Sequence, residues 1–176
     1  MENLEHKHLA VLDEATRRGE QDTGNMRLCF EVLALAAAID RSCAARLAPY
    51  RLSEGKFVLL SLLRDLPDGL APYELAERAG VTRATVTGLL DGLERDGFLL
   101  RHGDKDDRRK ISVRLTSMGK AMAEDLFVEH SQWIGSLFAG FEPREREVFS
   151  GFLLRAWRNV EMPLDAGQAT GAGTSP

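Results

Sequence analysis

The stretch LAERAGVTRATVTGLLDGLERDG, residues 75–97, decides the fold. Pro72, just before it, takes the position of a first helical residue, where its missing N–H costs nothing. Gly80 then supplies a flexible turn residue, Val81 anchors the turn, and Thr82 is placed to cap a second helix. At 100° per residue, with Val86 as origin, Leu89, Leu90 and Leu93 lie within about 60°, whereas Ala84, Gly88, Asp91 and Arg95 lie roughly opposite. One face is therefore core and the other is free. The small side chains at Ala84 and Gly88 let this helix approach a groove wall, with Arg83, Thr85 and Thr87 on the flanks of its N-terminal half. A DNA major groove about 12 Å wide accepts such a helix, with Arg suited to guanine acceptors and Thr to a thymine methyl or a phosphate. Helix N-terminal N–H groups add phosphate contacts. An ordinary amphipathic surface helix has the same two faces, so the neighbouring segments decide.

Upstream, Ser53 is placed to cap a helix over GKFVLLSLLRDL to about Asp65, and Pro67, Asp68 and Gly69 make a turn. A short helix over Tyr73–Ala79 leads into the decisive stretch, whose second helix runs to about Arg95 and is closed by Gly97. Downstream the period changes from 3.6 to 2 in two short segments, FLLRH and ISVRLT, separated by GDKDDRRK, which predicts a hairpin with a polar tip. Thr116 and Ser117 open a long helix with Met118, Met122, Leu126, Trp133, Ile134, Leu137 and Phe138. Pro143 starts a last one with a regular apolar stripe of Val148, Phe149, Phe152, Leu153, Ala156, Trp157 and Val160. Before all of these, Leu28, Val32, Leu35, Ile39, Cys43 and Leu47 mark a helix from Arg27 to Pro49. Leu4–Arg18 offers a shorter helix with a partial apolar face. The predicted fold class is mainly α with a small β-hairpin wing, a winged helix-turn-helix flanked by long helices.

The chain has 176 residues, room for about one domain but not for a two-domain dehydrogenase or a barrel enzyme. With 44% apolar and 28% charged residues it is able to bury a core. The apolar run at Val32–Ile39 is bounded by Glu31 and Asp40, far short of the roughly 20 residues of a membrane span. MENLEHKH carries no secretory pattern, and a cytoplasmic location is expected. Two cysteines, Cys29 and Cys43, make no disulfide framework, and no Cys and His cluster has zinc-ligand spacing. The four histidines form no metal pair, and neither a G-x-S-x-G elbow nor a phosphate-cradling glycine loop is present. No cofactor, metal or catalytic residue is therefore expected, and the chain is not read as an enzyme.

The net charge of -4 argues against nucleic acid only as a single number. The first 24 residues sum to -3, whereas Arg95–Arg114 holds seven basic residues against four acidic, a net +3 that leaves -7 for the rest of the chain. A charge run is usually a solvated face. The sharper reading is that Asp107 pairs with an arginine and fixes its fork, so that Arg109, between Arg108 and Lys110, points into a narrow, electronegative minor groove.

Residues 52–120, LSEGKFVLLSLLRDLPDGLAPYELAERAGVTRATVTGLLDGLERDGFLLRHGDKDDRRKISVRLTSMGK, closely resemble the MarR family of multiple antibiotic resistance regulators. The pairing of LAERAGVTRATVT with the downstream DDRRK and RLTSMGK carries the resemblance. It implies a homodimeric winged-helix transcriptional regulator, usually a repressor, whose second motif helix reads the major groove and whose wing arginine reads the minor groove. Carried over, Thr82, Arg83, Thr85 and Thr87 fall in the recognition helix, Asp107 matches the orienting wing acid, and Arg109 the inserted arginine. One departure is Gly88, where many relatives have an arginine. The implied organisation is an acidic extension over 1–24, a first dimerisation helix over 25–50, the winged helix-turn-helix over 51–116, C-terminal dimerisation helices over 117–162 and a tail over 163–176, whose composition is that of a disordered segment.

The stripe from Val148 to Val160 reads most simply as intramolecular core. The resemblance implies instead a two-fold interface between protomers, with recognition helices about 34 Å apart over a pseudo-palindromic operator. It also implies a small aromatic or anionic lipophilic effector near the junction of dimer and winged-helix regions, around Phe57 and Leu60. RLCFEV is similar to the peroxide-sensing branch, so a thiol-based regulator using Cys29 is an alternative, one that requires Cys29→Ser to abolish release of DNA by peroxide. Cys29 and Cys43 are about 21 Å apart along one helix and cannot join within it. A third possibility, from another class, is a protein-interaction module whose wing touches an acidic partner. The expected partners are double-stranded operator DNA, a second copy and a small effector, with no membrane.

Overall fold

A computed structural model describes residues 4–103 and 111–161. It divides into two units, Met1–Phe127 and Val128–Pro176. In chain order the elements are α1 (His6–Arg17), α2 (Thr23–Leu47), α3 (Glu54–Leu63), α4 (Pro72–Ala79), α5 (Arg83–Arg95), β1 (Leu99–Gly103), β2 (Ile111–Leu115), α6 (Ser117–Leu137) and α7 (Pro143–Glu161). The fold is that of a winged helix-turn-helix flanked by long helices, as the sequence predicts.

The caps explain most of the boundaries. The Asp22 carboxylate accepts from the Asn25 backbone N–H at 3.1 Å, so α2 begins at Thr23, a turn earlier than its apolar stripe. Pro49 does end the α-helix, which passes through a 3-10 turn over Ala48–Tyr50. Ser53 caps α3, its hydroxyl accepting from the Lys56 N–H at 3.4 Å. In α4, Glu74 reaches back to the Ala71 N–H at 2.8 Å. Gly80 ends this helix with φ +66°, and Val81 N–H bonds back to Ala76 O at 3.1 Å.

The core of the first unit is almost entirely aliphatic, with Leu59, Leu60, Leu63, Leu75, Val86, Leu90, Leu93, Leu99 and Val113 at most 1% exposed. β1 and β2 pair antiparallel in the register Leu99↔Leu115 to Gly103↔Ile111. A third piece of this sheet was not read from the sequence. Leu70 forms an antiparallel bridge with Val113, through Leu70 N–H to Val113 O at 3.1 Å and Val113 N–H to Leu70 O at 2.8 Å. Gly69 makes the approach possible, since a Cβ there would lie 2.1 Å from Val113 O. A single bridging residue has no period for the sequence to show.

The hairpin is latched to α6. The Thr116 N–H and hydroxyl both donate to Phe98 O, at 3.0 and 3.2 Å, the hydroxyl also reaches Gly97 O at 2.8 Å, and Thr116 Oγ1 accepts from the Gly119 N–H at 3.0 Å. Elsewhere in this unit, α1 packs on α2 through buried Leu12 and Ala15, with the His8 ring stacked on Phe30 at 4.5 Å. The stripe of α2 is split: Cys43 and Leu47 are buried, but Leu28, Val32 and Leu35 are exposed.

In the second unit Phe138, Phe141 and Phe149 form an aromatic cluster with centroids 5.9 to 6.3 Å apart, Phe141 edge-on to the other two rings. Glu145 caps α7 by accepting from the Glu142 N–H at 2.9 Å. No residue of α7 is buried. The simple expectation of an intramolecular core for its stripe is thus corrected: the helix displays Val148, Phe152, Leu153, Leu154, Trp157 and Val160 to solvent.

Candidate nucleic-acid interface

The helix-turn-helix builds a face whose threonines are held by local hydrogen bonds. Thr82 Oγ1 accepts from the Thr85 N–H at 3.1 Å, and the two hydroxyls lie 2.8 Å apart. Thr87 Oγ1 donates to Arg83 O at 3.0 Å. The threonine hydroxyls are thereby held in place along the N-terminal turns, with the Thr87 lone pairs and methyl left to face a ligand. Thr82, Arg83, Ala84, Thr85, Thr87 and Gly88 are all exposed, while Val86, Leu90 and Leu93 are buried, the division that the helical periodicity predicts. Among the described residues no carboxylate pairs with Arg83. A Cβ at Gly88 would meet nothing within 4 Å, so the helix surface is open there.

Beside this face lies a cleft of about 910 Å³, walled by Tyr73 at the start of α4, by Arg83 and Thr87, and by His102, Ser112 and Arg114 of the hairpin. Arg83, His102 and Arg114, with Glu74 as an acidic neighbour, border a concave surface between the reading helix and the wing, a shape that suits a sugar-phosphate backbone.

Three of the basic residues counted from the sequence have internal partners, the most exposed being Arg95, whose Nε lies 3.8 Å from Asp96 Oδ1. Arg101 Nη1 lies 3.0 Å from Glu94 Oε2 and Nη2 lies 2.6 Å from Asp91 Oδ1. Arg114 Nε donates to the Asp68 carbonyl at 3.0 Å, which ties β2 to the turn before Leu70. The +3 of this segment is therefore not all free charge. On the other flank of α5, Lys56 of α3 pairs with Asp96 at 2.8 Å, the ammonium holding that carboxyl below the usual aspartate range. Gly92 leaves room for this contact, since a Cβ there would lie 2.8 Å from Lys56 Cε. These pairings join residues far apart in the chain, and charge type alone did not reveal them.

Asp107, Arg108, Arg109 and Lys110 lie outside the described residues, as does the tail over 163–176. Phe57 and Leu60 are placed in the core, 8% and 0% exposed, and line no part of the cleft. Cys29 is exposed and Cys43 buried. Burial, with Glu54 and Asp40 nearby, pushes the Cys43 thiol up, away from the reactive thiolate form. No three His, Cys, Asp or Glu residues among those described are gathered to hold a metal, and none of the described helices is long and apolar enough to cross a membrane.

A helix-turn-helix with an open reading face, set beside a two-stranded wing, defines the winged-helix class of DNA-binding proteins. The model of the MarR family matches residues 52–111. The chain is 38% identical over 151 residues to the HTH-type transcriptional repressor YetL of Bacillus subtilis, a match that covers 83% of this chain and 90% of that protein. It belongs to the MarR family of transcriptional regulators. Among solved structures, a MarR protein from Peptoclostridium difficile matches with a TM-score of 0.62 at 25% identity, covering 80% of this chain and 90% of that one. The S. aureus MepR–DNA complex matches in fold with a TM-score of 0.65 at 20% identity, covering 74% and 96%. These relatives and this fold are those of DNA-binding transcriptional regulators, not of enzymes.

Proposed function

We propose that the chain is a homodimeric repressor that holds a pseudo-palindromic operator through two copies of α5 and leaves it when a small aromatic or anionic lipophilic effector binds. The observation that carries the DNA part is the exposed row of Thr82, Arg83, Thr85 and Thr87 over a buried Val86, Leu90 and Leu93. Arg83 is the base or phosphate reader, the threonines are the methyl and phosphate contacts, and in the wing Asp107 orients Arg109 with Arg108 and Lys110 beside it. Likeness to YetL, itself named a repressor, supports repression. The apolar residues displayed on α2 and α7 support the dimer. Membership of a family of transcriptional regulators favours duplex DNA over an acidic protein partner. The effector rests on the family resemblance, and since Leu60 is fully buried, a ligand reaching it would have to part α3 from its neighbours. Redox sensing, the other route to release, falls on Cys29, the exposed thiol.

The test is titration of the protein with a duplex from the region upstream of its own gene, against a random duplex of equal length. Log affinity should fall steeply with log salt, by about 0.9 per phosphate contact. Arg83→Ala should weaken the specific complex about tenfold, the order of one side-chain contact to a base. Equal affinity for the two duplexes at physiological salt would reject operator binding.

A second expectation concerns Gly88. Because a Cβ there meets nothing, Gly88→Ala should raise stability by about 0.5–1 kcal/mol through helix propensity alone. The same methyl would stand between the helix and the groove wall, so operator affinity should fall as the melting temperature rises. Unchanged operator affinity would place Gly88 away from the DNA.

A further inference from the structure

Helix α5 carries two carboxylates in its C-terminal half, Asp91 on its free face and Glu94 beside it. Left alone, both would repel the phosphates that the N-terminal half is shaped to approach. A single residue of the first wing strand meets both. The Arg101 guanidinium spans them, with Nη2 2.6 Å from Asp91 Oδ1 and Nη1 3.0 Å from Glu94 Oε2. Glu94 closes the arrangement with its other oxygen, which accepts from the Arg101 backbone N–H at 3.2 Å. Strand β1 is thus held to successive turns of the reading helix by three bonds from one residue. The Arg101 side chain is 29% exposed, and Glu94 34%, so neither is a freely solvated surface charge. A planar fork that meets two carboxylates at once is geometry that lysine cannot copy.

We propose that Arg101 is a positioning residue for DNA reading: it fixes the wing strand relative to α5 and cancels the charge of Asp91, which would otherwise face the phosphates. This rests on the DNA reading above. Arg101 therefore acts through its carboxylate partners and is not itself a phosphate contact, although by sequence alone it counts toward the basic segment.

The test uses the full chain and the same upstream and random duplexes. Arg101→Met keeps the apolar stem and removes the fork. Its specific affinity should fall about tenfold, the order of one lost charge-assisted interaction, and its preference over random DNA should shrink. A purely structural role would lower stability and stop there. The discriminating variant is Arg101→Met with Asp91→Asn, in which the uncovered charge is gone although nothing restores the tie between strand and helix. Part of the lost affinity, about threefold, should return while the melting temperature does not, a coupling of the kind a double-mutant cycle measures. Arg101→Met that is folded and binds the upstream duplex as well as the wild type overturns the proposal. So does a double variant that binds no better than Arg101→Met. If the wild type itself shows no preference for the upstream duplex, the DNA reading fails instead, before Arg101 is tested.

Discussion

Gly119→Ala is expected to lower the unfolding free energy by about 3 kcal/mol or more, among the larger losses a single substitution causes. A Cβ on Gly119 would lie 1.8 Å from Phe98 O and 2.8 Å from its carbonyl carbon. The obstacle is backbone, and it cannot swing aside as the end of a flexible side chain can. That carbonyl is also the acceptor for the Thr116 N–H and hydroxyl, so moving it loosens the latch between hairpin and α6. Urea denaturation should show a lower midpoint at an unchanged slope, and the melting temperature should fall by about 6–12 °C. Gly88→Ala makes the same chemical change on another helix where nothing stands within 4 Å, and it serves as the matched control. A Gly119→Ala chain as stable as the wild type would contradict the close approach at Phe98.

The Leu153→Glu, Trp157→Glu double variant is expected to be monomeric and to lose at least about a hundredfold in operator affinity, because two linked half-site contacts become one. Four residues apart on α7, Leu153 and Trp157 share a face with Val160, and the three are 42%, 67% and 84% exposed. Each leucine-sized side chain removed from water gains about 1.5–3 kcal/mol, a driving force that a charged face forfeits. No residue of α7 is buried in the single chain, so the substitutions should leave helical content intact. Light scattering at micromolar concentration reads the mass directly. A variant that keeps the dimer mass would move the interface elsewhere, to the exposed Leu28, Val32 and Leu35 of α2 or beyond.

The helix-turn-helix was legible because its signals are local. Val86, Leu90 and Leu93 repeat at helical spacing, Thr82 caps three residues ahead of its partner N–H, and Gly80 sits where the backbone must turn with φ +66°. The hairpin strands were legible as a change of period between Phe98 and Thr116. The third sheet partner at Leu70 was not, since one bridging residue makes no pattern.

The sequence alone settled the order of the helices and the hairpin and which face of α5 is apolar, because backbone sterics and hydrophobic periodicity act over a few residues. Tertiary structure decided what each face meets. An apolar stripe looks the same whether it covers its own core, as Cys43 and Leu47 do, or is left exposed by its own chain, as the residues of α7 are. A basic residue likewise looks the same in sequence whether it is open to a phosphate, as at Arg83, or bonded to Asp91 and Glu94, as at Arg101. The physical reason is that burial and ion pairing depend on distances between atoms, and residues far apart in the chain acquire those distances only when it folds.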